Sequence, residues 1–221
     1  MSVLFLDFSR AFPANDETEN CYPHFAAAVG NAFGVRVPEE LDEFWRVQGV
    51  GYFGRRELYF FKPVQTPRAD LITWNREDFW ASMMPSPREG GPVFFAENPF
   101  GEQLGFRWRG RKCEVILFIV DTMETFIVSE ISELFAHVLT SRDAITDVER
   151  LDKVRETLGV QPPGSHYSPI VSPMIGGSGS PANFQVETPN VHFRTALATW
   201  VAVRDLPEDQ RVGGVDLKWE S

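Results

Sequence analysis

The sequence predicts an α+β chain, and three stretches carry that reading. Val37–Phe61 (VPEELDEFWRVQGVGYFGRRELYFF) reads as one helix, a glycine-rich turn and one strand. Val93–Val128 holds strand-like runs in quick succession. Ile131, Leu134, Phe135 and Val138 then fall at i, i+3, i+4 and i+7, the spacing of an amphipathic helix. With 221 residues, 43% hydrophobic and 13% aromatic, the chain can build an ample core as one domain with an elaboration, or as two small ones.

In order along the chain, Val3–Phe8 suggests a short strand and Ala14–Asn20 a polar connection. Pro23 opens a helix to about Phe33, with Phe25, Val29 and Phe33 spaced by four and Gly34 as the stop. In the next helix Pro38 suits the first turn, where its missing N–H would have no partner. Leu41, Phe44, Trp45 and Gln48 keep helical spacing, and Trp45 is expected to anchor the core. Glu39, Glu40, Asp42 and Glu43 lie early in this helix, where its dipole favours anions. Gly49 ends the helix, Gly51 and Gly54 allow a sharp turn, and Leu58–Phe61 is dense in β-forming aromatics. A loop with Pro63 and Pro67 follows, and Asn75 is placed to cap a short helix over Arg76–Met83.

Pro85, Pro87, Gly90, Gly91 and Pro92 then break the chain. Strands are expected at Val93–Ala96, Gln103–Arg109, Glu114–Val120 and Glu124–Val128, with Arg109-Gly110-Arg111 as a hairpin turn. The nearly continuous apolar run of Glu114–Val120 suggests a strand covered on both faces. Ser129 is placed to cap a helix to about Leu139. A second helix follows over Ile145–Leu158, with Glu149 pairing Lys153 and Gly159 as its stop. Gln161-Pro162-Pro163-Gly164 divides the chain into a main unit, 1–160, and an extension, 161–221, too small for a large core and so expected to dock on the main unit. The extension reads as an extended Tyr167–Ile175, a flexible GGSGS, a strand at Asn183–Glu187, a helix capped by Asn190 to about Val203, and a terminal strand at Val215–Trp219.

The net charge is −10, distributed as −5 over residues 1–50, +3 over 51–112 and −8 over 113–221. An acidic chain repels nucleic acid and anionic lipid and can attract a basic protein. Cys21 and Cys113 form neither a disulfide framework nor a metal pattern, which fits a reducing compartment. The N-terminus lacks a basic region and a long apolar run, and the longest apolar run, Val115–Val120, is far short of a membrane span. The expectation is a soluble cytoplasmic protein that contacts neither membrane nor nucleic acid.

Candidate chemistry is sparse. GGSGS lacks the Gly-Lys-Ser/Thr ending of a phosphate loop. His24, His137, His166 and His192 show no ligand spacing and read as surface or partly buried imidazoles, so neither a metal nor a cofactor is expected. Glu97 and Glu102 flank the Asn98-Pro99-Phe100-Gly101 turn and could do acid–base work in a cleft, although carboxylates in turns commonly cap backbone N–H groups. Arg107, Arg109, Arg111 and Lys112 around Trp108 suggest a single-strand nucleic acid contact, or simply the exposed face of a hairpin, which the overall acidity favours.

The order of short motifs resembles the SUKH superfamily of bacterial immunity proteins. They are Val37-Pro38 with Leu41, Gly49, Ala96-Glu97-Asn98 with Gly101-Glu102, and Ser129 with Phe135, over roughly residues 35–140. Gly164-Ser165-His166-Tyr167, Gly176-Gly177, Asn183 and His192 look like the C-terminal part of a second type VI secretion immunity family, with a GAD-like domain; Ser168-Pro169 departs from its apolar block. The resemblance implies a single mixed or mainly antiparallel sheet packed against helices, with a C-terminal αβ extension. It also implies no catalysis, and binding of a cognate, basic toxin such as a nuclease. Pro38, Leu41, Trp45, Gly49, Gly51, Gly54, Gly101, Ser129 and Phe135 would then mark the fold. Glu39, Glu40, Asp42, Glu43, Glu97 and Glu102 would contribute to the acidic partner surface. A regulatory scaffold of the same fold and an enzyme using Glu97 and Glu102 are the rival readings. Monomer and dimer are both open.

Overall fold

The structure is a computed structural model and describes residues 5–21, 24–64 and 68–207. Seven strands form one antiparallel sheet in chain order: β1 (Ala14–Glu19), β2 (Val50–Phe53), β3 (Leu58–Phe60), β4 (Val93–Glu97), β5 (Gln103–Arg109), β6 (Lys112–Ile119) and β7 (Glu124–Glu130). A second, two-stranded sheet pairs β8 (His166–Pro169) with β9 (Phe184–Glu187). The helices are α1 (Leu6–Ala11), α2 (Phe25–Phe33), α3 (Glu39–Val47), α4 (Leu71–Trp74), α5 (Phe79–Met83), α6 (Ile131–Glu133), α7 (Val148–Leu158) and α8 (Pro189–Val203). The fold is α+β, with a mainly antiparallel sheet packed against helices.

Register shows how each face of the sheet is filled. Tyr52, Tyr59, Glu97, Gln103, Phe118 and Thr125 stand opposite one another in turn from β2 to β7, so they share one face. Gly51, Phe60, Ala96, Leu104, Leu117 and Phe126 form the adjacent row and share the other. The second face meets α1, α3 and the π-helical turn Leu134–Val138 that continues α6. There Phe44 stacks on Phe135 (4.4 Å, 10°) and packs against Phe5, Phe8 and Phe60. The first face meets α4, α5 and α8, where Trp80 lies on Phe94 and Phe118, and Phe193 packs edge-on to Trp74. Helices thus cover both faces, and β6 buries Val115 on one side and Ile116 on the other, as its apolar run predicts.

Several local expectations are corrected. The first element is helical: Phe5, Phe8 and Phe12 are all fully buried at helix-compatible spacing, whereas alternation would have put Phe5 and Phe8 on opposite sides. The polar Ala14–Glu19 is an edge strand, where a charged sequence is tolerated. Gly49 follows the C-cap of α3 and ends that helix as expected, but Val50–Phe53 is a strand too, so Gly51 does not make the turn. Both have positive φ, and a Cβ on either would strike the backbone carbonyl of Glu19 or Glu17 as β1 crosses. Gly54, also at positive φ, does lie in the tight turn before β3. Pro38 is the N-cap of α3, one residue before the first turn.

Asn75 does not open a helix. It closes α4, and its amide clamps that helix to the sheet, donating to Phe94 O (2.7 Å) and accepting from Phe94 N (2.7 Å). Ser129 lies within β7, and Glu130 takes the cap position. Thr188, not Asn190, is the N-cap of α8. Pro23, Pro67, Val215–Trp219 and the start of Val3–Phe8 lie outside the described residues.

The described part of the extension packs on the first face. Gly164 N donates to Tyr52 Oη (2.7 Å), Tyr167 N to Pro99 O (2.8 Å) and Arg56 Nη1 to Gln161 O (3.0 Å). Phe100, Leu151, Val154, Tyr167 and Phe184 make a small second core where α7 and β8–β9 meet the β4–β5 turn.

Candidate functional site

Where the extension crosses the first face, a run of polar side chains is sealed inside the protein. It starts at Glu97, the last residue of β4, which is 3% exposed. The Arg68 guanidinium grips this carboxylate with two parallel bonds, Nε to Oε1 (2.9 Å) and Nη2 to Oε2 (2.7 Å). Arg68 is itself held flat against Trp74, with its Cζ 3.6 Å from the ring centroid. Gln103, opposite Glu97 on β5, donates to Glu97 Oε2 (2.8 Å) and to Gly101 O (2.9 Å), and accepts from Trp74 Nε1 (2.8 Å).

The extension supplies the remainder. His166 of β8 brings Nε2 to 3.2 Å from Glu97 Oε1, within ion-pair distance. Its Nδ1 lies 3.3 Å from Nδ1 of His192 on α8, and His192 Nε2 lies 2.8 Å from Asp121 Oδ1. A carboxylate thus stands at each end of two imidazoles.

Gly101 makes the meeting of the two rings possible. Its φ is +77°, and a Cβ there would lie 2.6 Å from His166 Nδ1 and 3.1 Å from His192 Nδ1. Gly101→Ala is therefore expected to destabilise the fold by about 1–3 kcal/mol, from backbone strain plus displacement of the histidines. Urea unfolding of the single variant checks this.

The seam gives stability a pH dependence of definite sign. Burial holds His166 below the ordinary imidazole value, with Glu97 opposing. The folded chain then binds fewer protons than the unfolded one, so this contribution is full above about pH 6.5 and shrinks as pH falls. Burial alone would raise Glu97, but Arg68 and His166 hold it well below the usual carboxylate range, which continues the loss through the acid region. Glu102, raised by burial, works in the opposite sense. At the alkaline end burial pushes both Cys113 and Tyr52 up to about 12, from ordinary values of 9.0 and 10.0, so stability falls as pH rises past those values. Melting temperature against pH is expected to peak near neutrality and fall on both sides.

Of the carboxylates expected at a partner surface, Glu97 is not on one; it is buried and paired. Glu102 is separated from it in role. Its carboxylate accepts from Asn98 Nδ2 (2.8 Å), while Asn98 Oδ1 accepts from Phe100 N and Glu102 N to shape the turn. Glu39 is exposed, and Glu40, Asp42 and Glu43 are half-buried along α3, which covers the opposite face of the sheet from the seam. His166 and His192 are 1% and 2% exposed, contrary to the surface or partly buried imidazoles expected. Twenty-six residues separate them, and only the fold of the extension joins them.

A cavity of about 160 Å³ reaches the Asp121–His192 end, bordered by Ser168, Ser172, Thr195 and Thr199. It is smaller than the roughly 300–1,000 Å³ of small-molecule sites. Among the described residues no group of three or more His, Cys, Asp or Glu could hold a metal ion. No described helix is long and apolar enough to cross a membrane.

No family model matches the chain, and no curated protein matches it. Among solved structures, the crystal structure of Atu4351 from Agrobacterium tumefaciens superposes with a TM-score of 0.61, covering 87% of this chain and 88% of that one at 13% identity. The chain shares its fold with Atu4351. At that identity the likeness to Atu4351 concerns the path of the backbone.

Proposed function

We propose that the protein is a bacterial immunity protein of the SUKH type. It binds a cognate, basic toxin in the cytoplasm, in the setting of type VI secretion, and neutralises it by occlusion without catalysis of its own. The observation that carries this reading is the division of the charged groups. Glu97, His166, His192 and Asp121, the groups best suited to acid–base chemistry, stand in contact in a buried seam that joins sheet and extension. Acidic groups also lie elsewhere: besides the seam's Asp121, the stretch from Cys113 through Ser141 carries Glu114, Glu124, Glu130 and Glu133 and no Lys or Arg. Glu124, Glu130 and Glu133 are exposed, as is Glu39 on α3. Such a surface speeds capture of a basic partner and makes the capture salt-sensitive.

The resembling motifs also occupy joints of this fold. Phe135 stacks on Phe44, Trp45 packs on Phe25 (4.7 Å), and Gly101 admits the two histidines. The test is co-purification with the product of the adjacent gene. The expected result is nanomolar binding that weakens steeply between low and high salt. A chain that binds no product of its own locus contradicts the reading.

A further inference from the structure

We propose that the open edge of β7 receives an extended, basic segment of the partner toxin by strand addition, as an eighth strand of the sheet. This rests on the immunity reading and specifies where and how the partner docks.

β7 is the outermost strand, and among the described residues its backbone ladder runs to β6 alone. Its outer half is unusually apolar for an edge: Phe126 is 47% exposed and Ile127 59%. The two side chains point to opposite faces, each continuing a row of the sheet, Phe126 beside Leu117 and Ile127 beside Ile116. An added strand would therefore meet an apolar neighbour on either side while its main chain completes the ladder. The other edge shows what a protected strand looks like here. β1 reads ANDETE, with three carboxylates and no large apolar side chain. β7 lacks that protection between Thr125 and Val128.

Charge identifies the occupant. Glu124 and Glu130 stand at the two ends of β7 and Glu133 just beyond, all exposed, and among the described residues their one ion pair is Lys112 to Glu130. A second copy pairing antiparallel, edge to edge, would bring these glutamates against their counterparts, which is unfavourable. A segment with Lys or Arg at its two ends and Val, Ile or Leu between them satisfies both the ends and the middle. The register shift between Val115 and Ile116, opposite Val128, leaves Glu124–Ile127 as the regular stretch on which such a segment would align.

The experiment titrates the isotope-labelled full chain with an eight-residue peptide that has two lysines at each end and four valines between them. In parallel it measures binding of the adjacent-gene product to wild type and to Ile127→Lys. The expected result is amide shifts confined to Glu124–Ser129 and the facing residues of β6, abolished by Ile127→Lys. That variant should also bind the gene product at least tenfold more weakly, with an unchanged melting temperature. Phe126→Lys is a second variant with the same expectation, should Ile127→Lys fail to fold. Shifts centred on α3 or β1, or an unchanged affinity of the variants for a gene product that wild type binds, overturn the strand-addition proposal while leaving the immunity reading intact. Peptide shifts at β7 without any binding of the gene product support the edge as a docking site and overturn the immunity reading. Concentration-dependent dimerisation that Ile127→Lys abolishes would make a second copy the occupant and overturn the proposal.

Discussion

Replacing Arg68 by methionine is expected to lower stability by about 3–5 kcal/mol, the usual cost of stripping one partner from a buried ion pair. Arg68 and Glu97 are each about 3% exposed, and Arg68 is walled by Phe61 and Trp74. Without the guanidinium, Glu97 would keep only Gln103 and His166. It would then face the choice between an uncompensated charge and protonation near neutral pH. Arg68→Met/Glu97→Gln should recover much of the loss, because the double variant removes the charge as well as its partner. Urea unfolding of the two single variants and the double forms the cycle. A loss below about 1 kcal/mol in Arg68→Met would mean that the pair contributes little net and that packing alone joins the layers.

Phe44→Ala is expected to cost a similar amount, about 3–5 kcal/mol, for a different reason. Phe44 is fully buried at the meeting point of α1, α3, the sheet and the Leu134–Val138 turn. Its ring touches those of Phe5, Phe8, Phe53, Phe60 and Phe135, contributed by elements far apart in sequence. None of these rings can follow the backbone inward without leaving its other partners, so the cavity persists. Phe44→Leu should restore more than half of the loss. An equal loss for alanine and leucine would point to ring-specific contacts rather than filled volume. Chemical denaturation monitored by tryptophan emission reads both variants.

Periodicity made most of the fold legible, and it failed where two periodicities overlap or where a residue acts at long range. The helix of Leu41, Phe44 and Trp45, the hairpin about Gly110 and the strands from Val93 onward follow from local spacing. The short run ending at Phe8 could satisfy either a strand or a helix, and packing against Phe44 and Phe135 chose the helix. Gly49 ends α3 at positive φ as its position predicts, but the place of Gly51 inside β2 is not legible in sequence, which does not show that the carbonyls of β1 pass beside both glycines.

The seam was largely hidden for the same reason. Glu97 and Gly101 drew notice through the turn between them, but Arg68, His166 and His192 come from segments with no shared spacing. Only the docking of the extension onto the row Tyr52–Tyr59–Glu97–Gln103 brings them together. Surface function is less legible still, because exposure at Phe126 and Ile127 depends on β7 being last in the sheet.

The central claim is neutralisation by binding. The most direct measurement is survival of a bacterial host expressing the adjacent toxin gene, with and without this chain. Full protection by wild type is predicted, with protection reduced by Ile127→Lys at equal protein level. It should be retained in a His192→Gln variant that still folds, since neutralisation by occlusion asks no chemistry of the seam. Host killing unaffected by the wild-type chain, or protection lost in a folded His192→Gln that still binds the toxin, would contradict the account.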